Sequence, residues 1–239
     1  MKVFLVHAHP EPRSFTAAMK DHAIQTLTHA GHEVRVSDLC AMRFKASLDA
    51  DDFPAAADPA FFKAQAEQMK AHETGALAAD ILAEQEKLFW SDVLLLQFPL
   101  WWSSVPAILK GWVDRVFTMG RVYGGGRWFS DGALRGRRAM CALTTGGPEG
   151  IYGSRGRNGS LDKVLFHVQH GMLAFVGYEV LPPFVAWSAA RVGDDGRARY
   201  LGAYRERLLT LDTTPPIPFH PLEHFDEKLQ LKAEFPGEV

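Results

Sequence analysis

The chain has 239 residues and a formal charge of −2, with no basic field of the kind nucleic acid binding requires. A chain of this size buries roughly 70–75% of the surface its unfolded form exposes, so it needs no disulfide or metal to hold it together. Cys40 and Cys141 share no short spacing, and no apolar stretch approaches the length of a membrane span, so a reduced, cytoplasmic protein is expected.

The apolar run at 3–9 predicts a buried strand; it stops too soon for the core of a signal peptide. Ser14 suits the N-cap of a helix over 15–30, with Gly31 as its stop. Residues 33–39 set Val34, Val36 and Leu39 among polar neighbours, as a strand nearer an edge does. Residues 40–77 hold no clear element and read as one long loop. A helix is predicted over 78–90 and a second fully buried strand over 93–98. Ile108, Leu109, Trp112, Val113, Val116 and Phe117 recur in pairs four apart, the stripe of a helix lying on a sheet, with Trp112 and Phe117 in the core. A third buried strand follows at 139–144, with Cys141 inside it, then a helix over 161–175, a strand over 179–187 and a last helix over 197–209. Residues 1–212 form the main domain. The tail, 213–239, carries Pro215, Pro216, Pro218, Pro221 and Pro236 and is expected to run extended over its own domain or a neighbour.

Apolar strands separated by helices imply a parallel sheet covered on both faces. Five strands in this rhythm fit an α/β flavodoxin-like, doubly wound order, 2-1-3-4-5, with ligands beyond the carboxyl ends of the strands. Three of those ends should share one rim. They are His9-Pro10-Glu11-Pro12-Arg13-Ser14, then Pro99 to Ser104, then Thr144-Thr145-Gly146-Gly147-Pro148-Glu149-Gly150. The first and third offer backbone N–H groups, hydroxyls and a helix N-terminus, which suit phosphate. The second offers Trp101 and Trp102. Each loop alone is bland, since Ser14 can be a plain cap and Gly146-Gly147 a plain turn. Together they describe a site for a flavin nucleotide.

Several other chemistries lack their motifs. No G-x-G-x-x-G follows the first strand and no phosphate loop of the Walker type occurs, so a nicotinamide cofactor has no dedicated dinucleotide fold here. His7-x-His9 has no further ligand at metal spacing, which leaves hydrogen bonding as its role and no metal site. Pro221 spoils His220 and His224 as a helical pair and leaves them in a solvated tail. Ser103-Ser104 shows no obvious histidine and acid partner, which argues against a hydrolase.

The motifs His9 to Phe15, Gln97-Phe98-Pro99-Leu100, Val105 to Trp112, Arg115-Val116-Phe117, Thr144-Thr145-Gly146-Gly147 and Tyr152 resemble the FAD-dependent NAD(P)H:quinone oxidoreductases, the DT-diaphorase family. The resemblance runs from about residue 3 to residue 210. It implies a homodimer with shared active sites, bound FAD, NAD(P)H as co-substrate and a quinone as acceptor. By the same resemblance His9, Ser14, Phe15 and Thr16 hold the pyrophosphate and adenosine side, with Arg197 near the adenine and Lys63 on the phosphate side. Pro99, Leu100, Trp101, Trp102 and Ser103 line the isoalloxazine, and Thr144, Thr145, Gly146, Gly147 and Tyr152 its pyrimidine edge. Trp102, Tyr123, Trp128 and Phe175 form the substrate box. Tyr152 and the Gly146 amide are the implied catalytic donors.

Three departures stand out. Asn158 occupies the place of a histidine that partners the tyrosine in proton handling in animal members, and asparagine cannot titrate. Gly125 replaces a pocket tyrosine and Ser103 a phenylalanine, so the site should be more open. Two rival roles come with related proteins. One is a regulatory subunit of a potassium efflux antiporter, against which the long 40–77 segment and the tail argue. The other is an electron-carrier flavodoxin, whose hydroxyl-rich first loop Pro10-Glu11-Pro12 does not match.

Overall fold

The five strands are β1 (Lys2–His7), β2 (Glu33–Asp38), β3 (Val93–Pro99), β4 (Arg138–Thr144) and β5 (Glu179–Ala186). In the computed structural model, which describes residues 1–237, all pair in parallel in the order β2-β1-β3-β4-β5, as the alternation of apolar runs and helices predicts. The central strands are near-continuous apolar runs because both faces of the sheet are covered. The pleat sends alternate residues to opposite faces. Val3, Leu5, Leu95 and Met140 pack with Met19, Ala23 and Leu27 of α1 (Phe15–His29) and with Tyr204 and Leu208 of α6 (Gly193–Leu208). Phe4, Val6, Leu96, Phe98 and Cys141 meet the other layer, built from α3 (Ala79–Trp90), α4 (Ala107–Val116) and α5 (Leu161–Val168). Trp112 is fully buried there, and its Nε1–H donates to Glu84 Oε2 at 2.8 Å, which satisfies the one polar atom of the ring.

Four expectations need correction. The segment 40–77 is not one loop: it holds a 3-10 turn, Ala50–Asp52, and a helix, α2 (Ala64–Thr74). This helix docks through polar groups instead of an apolar stripe. Buried Glu67 accepts from the Ala57 N–H at 2.6 Å, and buried Gln68 accepts from the Met119 N–H at 2.9 Å. The helix expected over 161–175 is α-helical only to Val168; Gln169–Ala174 widens into a π-helical turn. The last helix begins at Gly193, four residues before Arg197, with Asp194 and Asp195 favourably placed in its first turn.

The fourth correction concerns two histidines of the tail. The tail lies on the body, where the Ile217 N–H donates to Val180 O at 2.7 Å and Ile217 and Phe219 pack on the core. His220 and His224 are half-buried rather than solvated. Their Nδ1 atoms lie 3.0 Å apart, and His224 stacks on Phe235 at 3.6 Å.

His7, at the end of β1, is 1% exposed, and its Nδ1 has no hydrogen-bond partner. Burial pushes its pKa down to about 4, against the pull of Asp38. The unfolded chain takes up this proton near pH 6.5, whereas the folded chain resists it until about pH 4. The penalty is absent above pH 6.5 and grows as pH falls through that window. We expect the urea midpoint of the protein to drop between pH 7.5 and 4.5, and His7→Leu to remove a distinct part of that drop. Identical pH dependence in both proteins would refute the assignment.

Candidate active site

The first loop leaves β1 and enters α1. Ser14 caps the helix, its Oγ accepting from the Ala17 N–H at 3.1 Å, which leaves the first backbone N–H groups of α1 facing outward. His9 Nδ1 accepts from the Glu11 N–H at 3.0 Å, so the imidazole is fixed beside the loop. The Arg13 guanidinium, 2.9 Å from Glu11, holds that carboxyl below its ordinary pKa. Two buried bonds bind this loop to the sheet. Thr16 Oγ1 meets Thr144 Oγ1 at 2.9 Å, and Gln97 Nε2 donates to Thr16 O at 2.9 Å.

The second loop continues β3. Leu100 N–H donates to Thr144 O at 2.8 Å, and Trp101 and Ser104 exchange N–H···O bonds of 3.0 Å each. Between them Trp102 (φ 51°) and Ser103 (φ 57°) both take the left-handed conformation. This is the two-residue turn that Asn-Gly normally supplies, and each non-glycine residue in it stores on the order of 1 kcal/mol of strain. Trp101 lies with its ring 5.9 Å from that of His9, whereas Trp102 is fully exposed.

The third loop follows β4. Thr145 N–H donates to Ala186 O, and Thr145 Oγ1 donates to Gly147 O at 2.8 Å. Gly147 is packed against Ile151 so closely that a side chain would displace it. Tyr152 lies over Trp187, ring centroids 5.4 Å apart, an anchor that sequence reading missed. Asn158 N–H donates to Ile151 O at 2.9 Å, which ties it to the tyrosine loop through the backbone.

These loops enclose a cleft of about 720 Å³ at the carboxyl ends of the strands. His9, Ser14, Phe15 and Thr16 line one side, Pro99, Leu100 and Trp101 another, and Thr144, Thr145, Gly146 and Arg197 the rest. Trp102, Ser103, Gly147 and Tyr152 do not line it, and Lys63, the residue at the N-cap of α2, is not among its walls either. Ala18, Ala189 and Ala190 do, and were missed, and so does Arg13, which the sequence placed in the first loop without a role of its own. The two alanines follow β5, and the rule that ligands sit beyond strand ends points to that loop as well. Among the described residues no acidic side chain lines the cleft; Arg13 and Arg197 do, each also paired with a carboxylate outside its walls, Glu11 and Asp194.

The expected substrate box is divided. Tyr123 and Phe175 lie 6.0 Å apart on a groove of about 410 Å³. Trp128 and Phe175 share a second cavity, of about 360 Å³, roofed by Phe225 and Leu229 of the tail. Trp102 reaches neither. Ser104, read from sequence as lacking a histidine partner, has one: its Oγ lies 2.8 Å from His167 Nε2. Among the described residues no helix is long and apolar enough to cross a membrane.

Residues 1–209 match the family described as having a flavodoxin-like fold. The ribosyldihydronicotinamide dehydrogenase-like protein traD of Penicillium crustosum is 41% identical, over 92% of this chain and 84% of its own. NAD(P)H dehydrogenase [quinone] 1 of Cavia porcellus is 37% identical, over 99% of this chain and 88% of its own. A solved structure from Klebsiella pneumoniae, provisionally named a quinone reductase, superposes with a TM-score of 0.96 at 46% identity, over 100% of this chain and 97% of its own. A potassium-efflux ancillary protein, KefF of an Enterobacter strain, is 33% identical but over only 56% of this chain and 73% of its own. With a flavodoxin-like sheet, three strand-end loops on one cleft and relatives matched along almost their whole length, the chain belongs to the NAD(P)H:quinone oxidoreductase family.

Proposed function

We propose that the chain is a dimeric flavoenzyme in which NAD(P)H reduces bound FAD and the reduced cofactor passes a hydride to a quinone in a second, separate step. Nitroaromatic and azo compounds are further acceptors on this reading. The observation that carries it is the cleft itself: phosphate-suited N–H groups and arginines at one side, an indole at the other, and no carboxylate among the described residues of its walls. FAD fits this chemistry. When bound, it supplies the hydride carrier between the two substrates.

The protein's own residues bind, orient and polarise. The α1 N-terminus with Ser14, Phe15 and Thr16, together with His9, receives the pyrophosphate, and Arg197 closes the adenosine side. Pro99, Leu100 and Trp101 give the flat wall for the ring system. Thr144, Thr145 and Gly146 in the cleft wall, with Gly147 and Tyr152 next along the same loop, would meet the pyrimidine edge, where fixed donors stabilise negative charge as it develops. Trp102 is held bare by a strained turn, and Tyr123, Trp128 and Phe175 lie on separate cavities. A second copy of the chain would cover Trp102 and bring one subunit's rings over the other's cleft. Cytoplasmic location fits the chain's free cysteines.

The test is the absorbance spectrum of the purified protein, identification of the released cofactor and NAD(P)H-dependent reduction of menadione. Flavin absorbance, released FAD and rapid turnover are expected. Protein that is colourless and stays so with excess FAD overturns the reading. Bound flavin with negligible turnover and co-purification with a membrane transporter would favour the efflux-regulator role instead.

A further inference from the structure

Ser104 and His167 meet across 63 positions of sequence, on two elements that the proposed reaction joins. Ser104 closes the turn whose opposite end, Trp101, lines the cleft. His167, on α5, lines the groove that also holds Tyr123 and Phe175. Their 2.8 Å bond therefore joins the rim of the cleft to the groove that carries Tyr123 and Phe175 of the same chain. The imidazole is exposed, so solvent can restore its proton. The charged and titratable groups around it are Lys110 and Asp114 of α4, paired at 2.6 Å, and Tyr123 across the groove, with Lys163 and His170 near it along its own segment. Asn158, by contrast, cannot titrate, and among the described residues its side chain makes no hydrogen bond to Tyr152.

Resting on the function proposed above, we infer that His167 and Ser104 form the proton path to the acceptor. Reduction of a quinone to a hydroquinone adds one hydride, from the reduced flavin, and one proton. The hydride leaves the hydroquinone as a monoanion. Its free oxygen takes the Ser104 hydroxyl proton while Ser104 Oγ takes the proton on His167 Nε2, and the neutral imidazole regains one from water. Histidine suits this work because its charge changes within the physiological pH range. Ser104 is the group that meets the acceptor, and His167 acts through it.

The test separates the two half-reactions by stopped flow. In the wild type, menadione-dependent flavin reoxidation should slow as pH rises from 5 to 8 if the His167–Ser104 pair supplies the proton. His167→Gln keeps a donor near the position of Nε2 but cannot titrate. It should reoxidise about tenfold more slowly at pH 6, a modest share of what a positioned acid contributes, and without that pH dependence. Flavin content and the rate of flavin reduction by NADH should be unchanged in it, and so should those of Ser104→Ala, which should lose the same pH limb. Imidazole added to His167→Ala should restore the rate, which a merely structural histidine would not allow. In NMR spectra of the oxidised, flavin-loaded wild type, menadione should shift the His167 Cε1–H resonance. A retained pH limb in both variants, or no imidazole rescue and no shift, overturns the inference. Wild-type protein without flavin or turnover would instead overturn the reading on which it rests.

Discussion

Arg115→Leu is expected to lower the unfolding free energy by about 3–5 kcal/mol, the range for breaking a buried ion pair by removing one partner. Arg115 is 1% exposed, and so is Asp52, to which its Nη2 and Nε donate at 2.8 and 3.1 Å. The same guanidinium reaches Asp80 at 2.6 Å and the Lys45 carbonyl at 3.0 Å. Burial alone would raise the Asp52 pKa, but Arg115 and Lys45 outweigh it and hold the carboxyl below its ordinary value. Leucine leaves that carboxylate in the interior with Lys45 as its remaining charged partner. Arg115→Lys keeps the charge and loses the planar fork, so it should fall between the two. The double variant Arg115→Leu/Asp52→Leu should regain part of the loss, since a buried pair is replaced more cheaply than it is broken. Urea unfolding monitored by the buried tryptophan fluorescence checks all three. A loss under about 1 kcal/mol in Arg115→Leu would mean that water reaches Asp52 and that the pair is no better than a surface bridge. The consequence extends to function. Arg115 ties 40–77 to α3 and α4, and Gln65 and Gln68 of that segment line the groove with Tyr123 and His167.

What the sequence discloses here follows the kind of force that holds each part. Val3, Leu5, Leu95 and their opposite-facing neighbours announce a doubly covered sheet because burial acts on runs of adjacent residues, and strand order follows from that rhythm. The α2 helix is silent because its anchors, Glu67 and Gln68, work by single hydrogen bonds that no periodicity records. Trp102 and Ser103 do not look like a left-handed turn, since both carry side chains that disfavour it, and the fold imposes the conformation. The loops that line the cleft are legible because strand ends and family motifs coincide there. The Ser104–His167 pair is not, because a half-buried serine and an exposed histidine 63 apart leave no local mark. His220 and His224 mislead for a related reason: Pro221 forbids the helical pairing it was read against, and a 3-10 turn at Leu222–His224 brings the rings together by another route.

Gly156→Ala should slow flavin reduction by NADH roughly tenfold to a hundredfold, as Tyr152→Phe should, at or below the low end for loss of one electrostatic donor. Its effect would come through backbone geometry and not through any group that touches substrate. A Cβ on Gly156 would press on the carbonyl of Ile151 and lie 2.7 Å from Gly150 O, and neither is a flexible chain end that can turn aside. The Ile151 carbonyl must move, and with it the bond it accepts from Asn158 N–H and the placement of Tyr152 over Trp187. Gly153→Ala is the control. Its nearest neighbour would be Gly150 O at 3.7 Å, and its φ of −83° is one that alanine adopts freely. Since the loop is peripheral to both core layers, thermal unfolding of the flavin-free protein should differ little between the two alanine variants. Stopped-flow reduction then isolates the site. If Gly156→Ala is reduced at the wild-type rate while Tyr152→Phe is slow, the tyrosine finds its place without this loop's help; if both are fast, the donor at the pyrimidine edge is the Gly146–Gly147 backbone alone.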